Sequence, residues 1–258
     1  MAQWTASTLT GHDDRLNIER LSSLWSRLHR GDAEPWPEDP ALQNAWLAFH
    51  NGEFQRATEA GLALGDAGMN VANKATSIYA NYLEPREQAR QDLLLEAAAR
   101  AKALQKRHPD NPGAWFWQAY PLGRHIQSIS VAKALTQGLG SRVKTALEAA
   151  IERCPQHADA HLALAAFHAE VIDKVGAVVG RMTYGASKAE GLAMYQQAMV
   201  LNPDAITTLT EYANGLLMLE GADAMPEASR LLDRVASIEP LDEAERLCAA
   251  SARVVLEE

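Results

Sequence analysis

The chain has 258 residues, 47% hydrophobic and 22% charged, enough to bury a sizeable core in one or two domains. Its formal net charge of −9, with no long Lys/Arg run, makes nucleic acid and anionic membrane surfaces poor partners. Only two cysteines, Cys154 and Cys248, are present, which excludes a disulfide framework and fits a reducing, cytoplasmic setting.

Residues 1–39 read as an N-terminal extension with a short helix, and 40–258 as a single helical domain. The opening "MAQWTASTLTGHDDRLNIERL" has no basic start followed by an apolar core, so it is not read as a secretory signal. In 41–66, "FHNGEFQRATEAG" has the form of a turn between two helices. Segment 85–107, "PREQARQDLLLEAAARAKALQKR", predicts a helix with Pro85 at its first position, a Glu96–Arg100 pair and a basic last turn. "HPDNPG" stops it, and "PGAWFWQAYPLG" (112–123) opens the next. Throughout, Ala, Leu, Glu, Gln and Arg dominate in helical periodicity, while alternating Val, Ile and Thr are scarce. The chain reads as all-α.

Segment 154–168, "CPQHADAHLALAAFH", holds a cysteine and three histidines. A structural zinc site wants four convergent ligands, whereas Cys154, His157 and His161 straddle a helix start. His161 and His168 stand where Trp115 and Leu122 stand after the preceding proline, so packing positions are expected of them. His157 is expected in a solvent-facing turn, and no metal or other cofactor is expected. The most apolar long stretch, 158–180, is broken by Asp159, His161, His168, Glu170, Asp173 and Lys174, so no membrane span is predicted.

An internal repeat organises these elements. Four helices end in a proline: "ALQKRHP", "AIERCP", "AMVLNP" and "VASIEP", at Pro109, Pro155, Pro203 and Pro240. Five residues before each proline stand Leu104, Ala150, Ala198 and Val235; eight before, Ala101, Leu147, Tyr195 and Leu232; twelve before, Ala97, Val143, Gly191 and Ala228. These offsets share one helical face. Six after each proline stand Trp115, His161, Leu209 and Arg246, and ten after, Ala119, Ala165, Ala213 and Ala250.

The pattern resembles the tetratricopeptide repeat, most closely in "NPDAITTLTEYANGLLMLEG…EASRLLDRVASIEP" (202–240). The resemblance implies a right-handed stack of helix hairpins, an α-solenoid, closed by a C-terminal capping helix. In that helix, "EAERLCAASARVVLEE", Arg246 and Arg253 replace the apolar residues of other units. The proline spacings are 46, 48 and 37, against a family unit of about 34 residues. The excess falls in two similar stretches, "RHIQSISVAKALTQGLGS" (124–141) and "VIDKVGAVVGRMTYGAS" (171–187). Lengthened hairpins of this kind resemble those of the TRAP-transporter-associated T components and the regulator-of-microtubule-dynamics proteins.

The chain has no G-x-S-x-G, P-loop or G-x-G-x-x-G after a strand, so a non-enzymatic protein is expected. The resemblance implies a concave groove that holds a peptide segment or partner domain. Phe116, Tyr120 and Arg124 would line it as an exposed stripe opposite Trp115, Ala119 and Leu122, with Asn214 and Met218 further along. The alternative is a carrier or sensor of a small apolar ligand held between the two insertions, with Arg181 and Tyr184 as its polar contacts. Gly176 and Gly180 are expected to permit close helix contact there.

Overall fold

A computed structural model of the chain describes residues 4–5 and 15–257, the side chains of 253–257 excepted. All regular structure among the described residues is helical. The helices are α1 (Ile18–Leu28), α2 (Pro40–His50), α3 (Phe54–Ala63), α4 (Met69–Tyr82), α5 (Glu87–Arg107), α6 (Pro112–Gln127) and α7 (Val131–Thr136). They continue as α8 (Leu139–Arg153), α9 (Ala158–Val175), α10 (Ala177–Tyr184), α11 (Lys188–Leu201), α12 (Ile206–Glu220), α13 (Met225–Ser237) and α14 (Glu243–Glu257).

Local chemistry places many of the helix starts. Asn17, Asp39, Asn111, Ser130, His157 and Ser187 accept first-turn N–H groups of α1, α2, α6, α7, α9 and α11. Pro40 and Pro112 occupy first helical turns, where no N–H is missed. Helix α5 begins two residues later than Pro85 predicts. The buried Glu84 carboxylate accepts from the Arg86 N–H at 3.0 Å and from the Tyr79 hydroxyl at 3.0 Å, which pins 84–86 outside the helix. The Glu96–Arg100 pair forms at 2.9 Å.

All twelve positions counted back from the four prolines are buried, so the periodicity marks the packed face. Ala119, Ala165 and Ala213 are buried as well. Ala250 is exposed, because α14 is turned to bury Leu247 and Ala252 instead. Arg246 lies on this helix within 3.7 Å of Glu243, while the side chain of Arg253 lies outside the described residues.

Helices adjacent in sequence pack on one another from α1 to α6, and α6 packs on α8 and α8 on α9 beyond the short α7. The same holds for α9 with α11, then α11, α12, α13 and α14 in turn. A second set of contacts skips a helix: α2 with α4, α4 with α6, α6 with α9, α9 with α12 and α12 with α14. Helix α14 then meets α2 and α4, so the last helix returns to the first ones. Helix α1 belongs to the same core as these, since Leu21 and Trp25 pack with Trp46, Phe49, Tyr79 and Leu247.

Each insertion folds into one short helix, α7 or α10. Gly180 behaves as expected: a Cβ there would meet Val171 Cγ1 at 2.9 Å, so α10 lies tight on α9. Gly176 does not. Its surroundings are open, but its φ of 82° and ψ of 156° form a break between α9 and α10 that favours glycine.

Candidate functional site

Among these helices lies a cavity of about 570 Å³ that is partly open to solvent. Helices α1, α2, α4, α6, α8, α9, α12 and α14 contribute to its wall, as do both insertions, whereas α3, α5, α11 and α13 do not. One end is apolar, with Phe116, Ile126, Val143, Ala163, Phe167 and Tyr184 among its residues. Tyr184 reaches it across the insertions, lying where a side chain on Gly140 would collide with its ring.

Phe116, Tyr120 and Arg124 all line this cavity, but not as an exposed stripe. Phe116 is 2% exposed, sits in the core and lies 4.6 Å from the His157 ring. Tyr120 is half-buried under the Arg124 guanidinium, 5.3 Å from its ring, and Arg124 donates to Glu211 at 2.9 Å. The physical reason is that α6 has α5 and α8 against it as well as the cavity, which leaves it little free face. Trp115, expected in the core, is half-buried at the outer turn instead. Its indole N–H donates to the Pro109 carbonyl at 2.8 Å, and Arg153 covers the ring at 4.4 Å.

Asn214 and Met218 are not among the lining residues; on α12 the wall is formed by Thr207 and Glu211. They continue the same stripe along the helix past that wall, and Met218 is 40% exposed. Tyr184 lines the cavity, but Arg181 is exposed outside it.

At the other end Lys74, Asp159 and Asp242 are on the wall, and a buried ionic line runs behind them. His29 Nδ1 bonds Asp32 at 2.8 Å, His29 Nε2 meets His50 Nε2 at 3.0 Å, and His50 Nδ1 bonds Asp242 at 2.6 Å. Lys74 Nζ donates to the second oxygen of Asp32 at 2.6 Å and lies over the rings of Trp46 and Phe49. All four members of the line are buried, with Trp25 stacked on His29 at 3.7 Å.

Three bonds in a row need three protons. Two carboxylates and two imidazoles holding three protons carry one net negative charge, which the Lys74 ammonium cancels. The line is thus a charge-neutral unit inside the fold. Burial pushes His29 down to about 4, against the attraction of Asp32. Burial opposes ionisation of Asp32, but His29 and Lys74 overcome it and hold its carboxyl well below the usual range.

Beside this unit stand two carboxyls of the opposite kind. Burial, reinforced by the Asp32 charge, pushes both Glu34 and Asp159 up to about 7. Each keeps part of its surface open, Asp159 onto the cavity, while protein surrounds the rest. Cys248 also lines the cavity and meets the Tyr82 hydroxyl at 3.3 Å; burial pushes its thiol up to about 12, which makes it a poor nucleophile.

The histidines of 154–168 have separate partners. His157 is buried, not solvent-facing: its Nδ1 accepts the Ala160 N–H at 3.2 Å, and burial pushes it down to about 4. His161 Nε2 donates to the Pro155 carbonyl at 3.0 Å, and His168 Nδ1 accepts the Ser187 N–H at 3.2 Å. Among the described residues no group of three or more His, Cys, Asp and Glu is arranged to hold a metal ion, and no helix is long and apolar enough to cross a membrane.

Sequence reasoning missed the ionic end altogether. Its members come from α1, α2, α4, the start of α9 and the start of α14, and none forms a motif with its sequence neighbours. Asp242 even reads as an ordinary helix cap, and it does accept the Glu245 N–H at 2.8 Å. No family model matches the sequence, and no curated protein matches it closely enough to count as a relative.

Proposed function

We propose that this chain is a tetratricopeptide-like helical array, curled until α14 meets α2 and α4, and that it binds one small, largely apolar molecule in the cavity between its helices. The support for the array is the buried repeat register before each proline, together with the alternating packing of α2, α4, α6, α9 and α12. The observation that carries the binding reading is the cavity itself. Its 570 Å³ falls within the range of about 300–1,000 Å³ common to small-molecule sites. Both insertions wall it, which gives the lengthened hairpins a task.

The protein acts as a carrier or sensor and not as an enzyme on this reading. Apart from Asp159, the ionisable groups at that end engage one another in a neutral unit, and the one thiol on the wall is held neutral. A partner protein remains a second reading, favoured by Val178, Val179 and Met182 on α10, which point apolar side chains outward, Met182 with 83% exposure.

Titration with the fluorescent probe N-phenyl-1-naphthylamine tests the binding reading. One saturable site per chain is expected, and Ala166→Phe, which fills the apolar end, should abolish it. Absence of saturable binding, or equal binding by the filled variant, contradicts the reading.

A further inference from the structure

We propose that the ionic end of the cavity seats a protonated amine on the Asp159 carboxylate, so that the ligand is an apolar molecule with an ammonium head. The inference deepens the cavity reading and rests on it.

It stands on a comparison of the charged groups that line the cavity. Arg27 bonds Glu245 at 2.6 Å, Arg124 bonds Glu211 at 2.9 Å, Lys74 bonds Asp32 at 2.6 Å, and Lys174 lies 4.0 Å from Glu170. Each of these lining cations has a carboxylate of its own. Asp242, also on the wall, has His50. Asp159 is the odd one: its side chain makes no hydrogen bond or ion pair with any described residue, and the Lys74 ammonium, bonded to Asp32, acts on it only through space.

The backbone holds it there. The Asp159 N–H donates to the Gly31 carbonyl at 2.9 Å, and a Cβ at position 31 would collide with both carboxylate oxygens. Glycine at 31 therefore makes the room that the carboxyl occupies. Asp159 also stands in the first turn of α9, where the helix dipole favours a negative charge. Burial and Asp32 oppose that charge, and an ammonium brought into the cavity would offset both. The aromatic faces of Phe116 and Tyr120 and the aliphatic wall beyond them suit the remainder of such a molecule.

Other charges near Asp159 are Asp32 after α1, Lys74 on α4, His157 at the α9 cap and Asp242 before α14. Asp32 and Asp242 are held low, His157 sits at about 4 and Lys74 is raised, so these four keep their charge between about pH 5.5 and 8. Glu34 changes in that window, but it bonds Asn70 at 2.9 Å. Glu170 and Glu245, also on the wall and raised by burial, bond Gln127 and Arg27, so Asp159→Asn separates their titration from that of Asp159.

The test is displacement of N-phenyl-1-naphthylamine by dodecylamine, dodecanol and dodecanoate, with the native chain and Asp159→Asn, at about pH 8 and about pH 5.5. At the higher pH the amine should displace the probe from the native chain at a concentration about tenfold below that of the alcohol, and dodecanoate should be the weakest. The preference should shrink at the lower pH, where the amine stays charged but Asp159 is protonated. It should also vanish in Asp159→Asn. Equal displacement by amine and alcohol, a preference that survives Asp159→Asn, or dodecanoate as the best ligand overturns the anchor while leaving the cavity reading intact. If neither the probe nor dodecylamine binds, by fluorescence or calorimetry, both proposals fall. The pH comparison uses the native chain, so the test does not depend on how the variant folds.

Discussion

His50 and Asp242 stand 192 residues apart and share a 2.6 Å bond between Nδ1 and Oδ2, both side chains buried. The bond ties α2 to the segment that starts α14. Arg27 with Glu245 and Tyr82 with Cys248 add two more links across the same junction. The junction also supplies part of the cavity wall, through Asp242, Ala244, Glu245 and Cys248.

Removing one partner of this clasp should therefore be costly. His50→Ala leaves the Asp242 carboxylate buried without its bond and interrupts the proton line to Asp32, so a loss of about 3 kcal/mol or more is expected. Lys144→Ala, which breaks an i,i+4 pair on the surface of α8, should cost no more than about half a kcal/mol. Urea unfolding of the two variants beside the parent measures both. Equal midpoints would show that the clasp carries no stability.

The four helix ends at Pro109, Pro155, Pro203 and Pro240 were legible because a buried face repeats in a helix whatever lies around it. The two insertions were legible as excess length. Residues on the cavity were legible only in part. Phe116, Tyr120 and Arg124 share one stripe of α6 by their spacing, and that stripe lies on the cavity wall, but periodicity does not say how many neighbours a helix has, so exposure was expected where α6 is packed on. His29, Lys74 and Asp159 meet where the segment after α1 reaches α4 and the start of α9, and Asp242 joins them through the return of α14, long-range contacts that leave no spacing in the sequence.

Acid stability should reveal two opposing proton linkages. Unfolded, His29 and His157 titrate near 6.5, but folded they titrate at about 4, so between those values the unfolded chain binds more protons and stability falls as pH falls. Glu34 and Asp159 start from 4.5 and 3.8 and rise to about 7, so over nearly the same window the folded chain binds more protons and stability falls as pH rises. Burial lowers His125 and His168 as well and raises Glu170 and Glu245, so the two signs oppose one another across the whole chain. Asp159→Asn removes one carboxyl from the balance. On acidification from about pH 6.5 to 4.5 the variant should therefore lose about 1.4 kcal/mol per pH unit relative to the native chain. Equal slopes in the two chains would contradict the assignment.

The aromatic pair on α6 should behave unequally. Phe116→Ala removes a buried ring that packs in the core and lines the cavity and should cost about 3 kcal/mol, while Trp115→Ala, at the outer turn under Arg153, should cost less than half as much. Thermal melts of the two variants check the order. A larger loss for Trp115→Ala would put the repeat's packing position back in the core.

Two glycines should respond with opposite signs. Gly176→Ala places a side chain at a φ of 82° and should cost about 1–3 kcal/mol even though nothing lies within 4 Å of the new Cβ. Gly123→Ala, inside α6 with equally open surroundings, should stabilise by about 0.5–1 kcal/mol. Denaturant midpoints distinguish them, and destabilisation by both would mean that space and not backbone conformation governs these sites.

The central claim is that the cavity among the helices, with α14 as part of its wall, takes one apolar molecule. Native mass spectrometry of the intact chain titrated with dodecylamine tests it most directly. The account predicts a single adduct per chain that saturates, and loss of that adduct in Ala166→Phe while the variant keeps its melting temperature. Adducts that accumulate without limit, or that persist in equal amount when the cavity is filled, would contradict it.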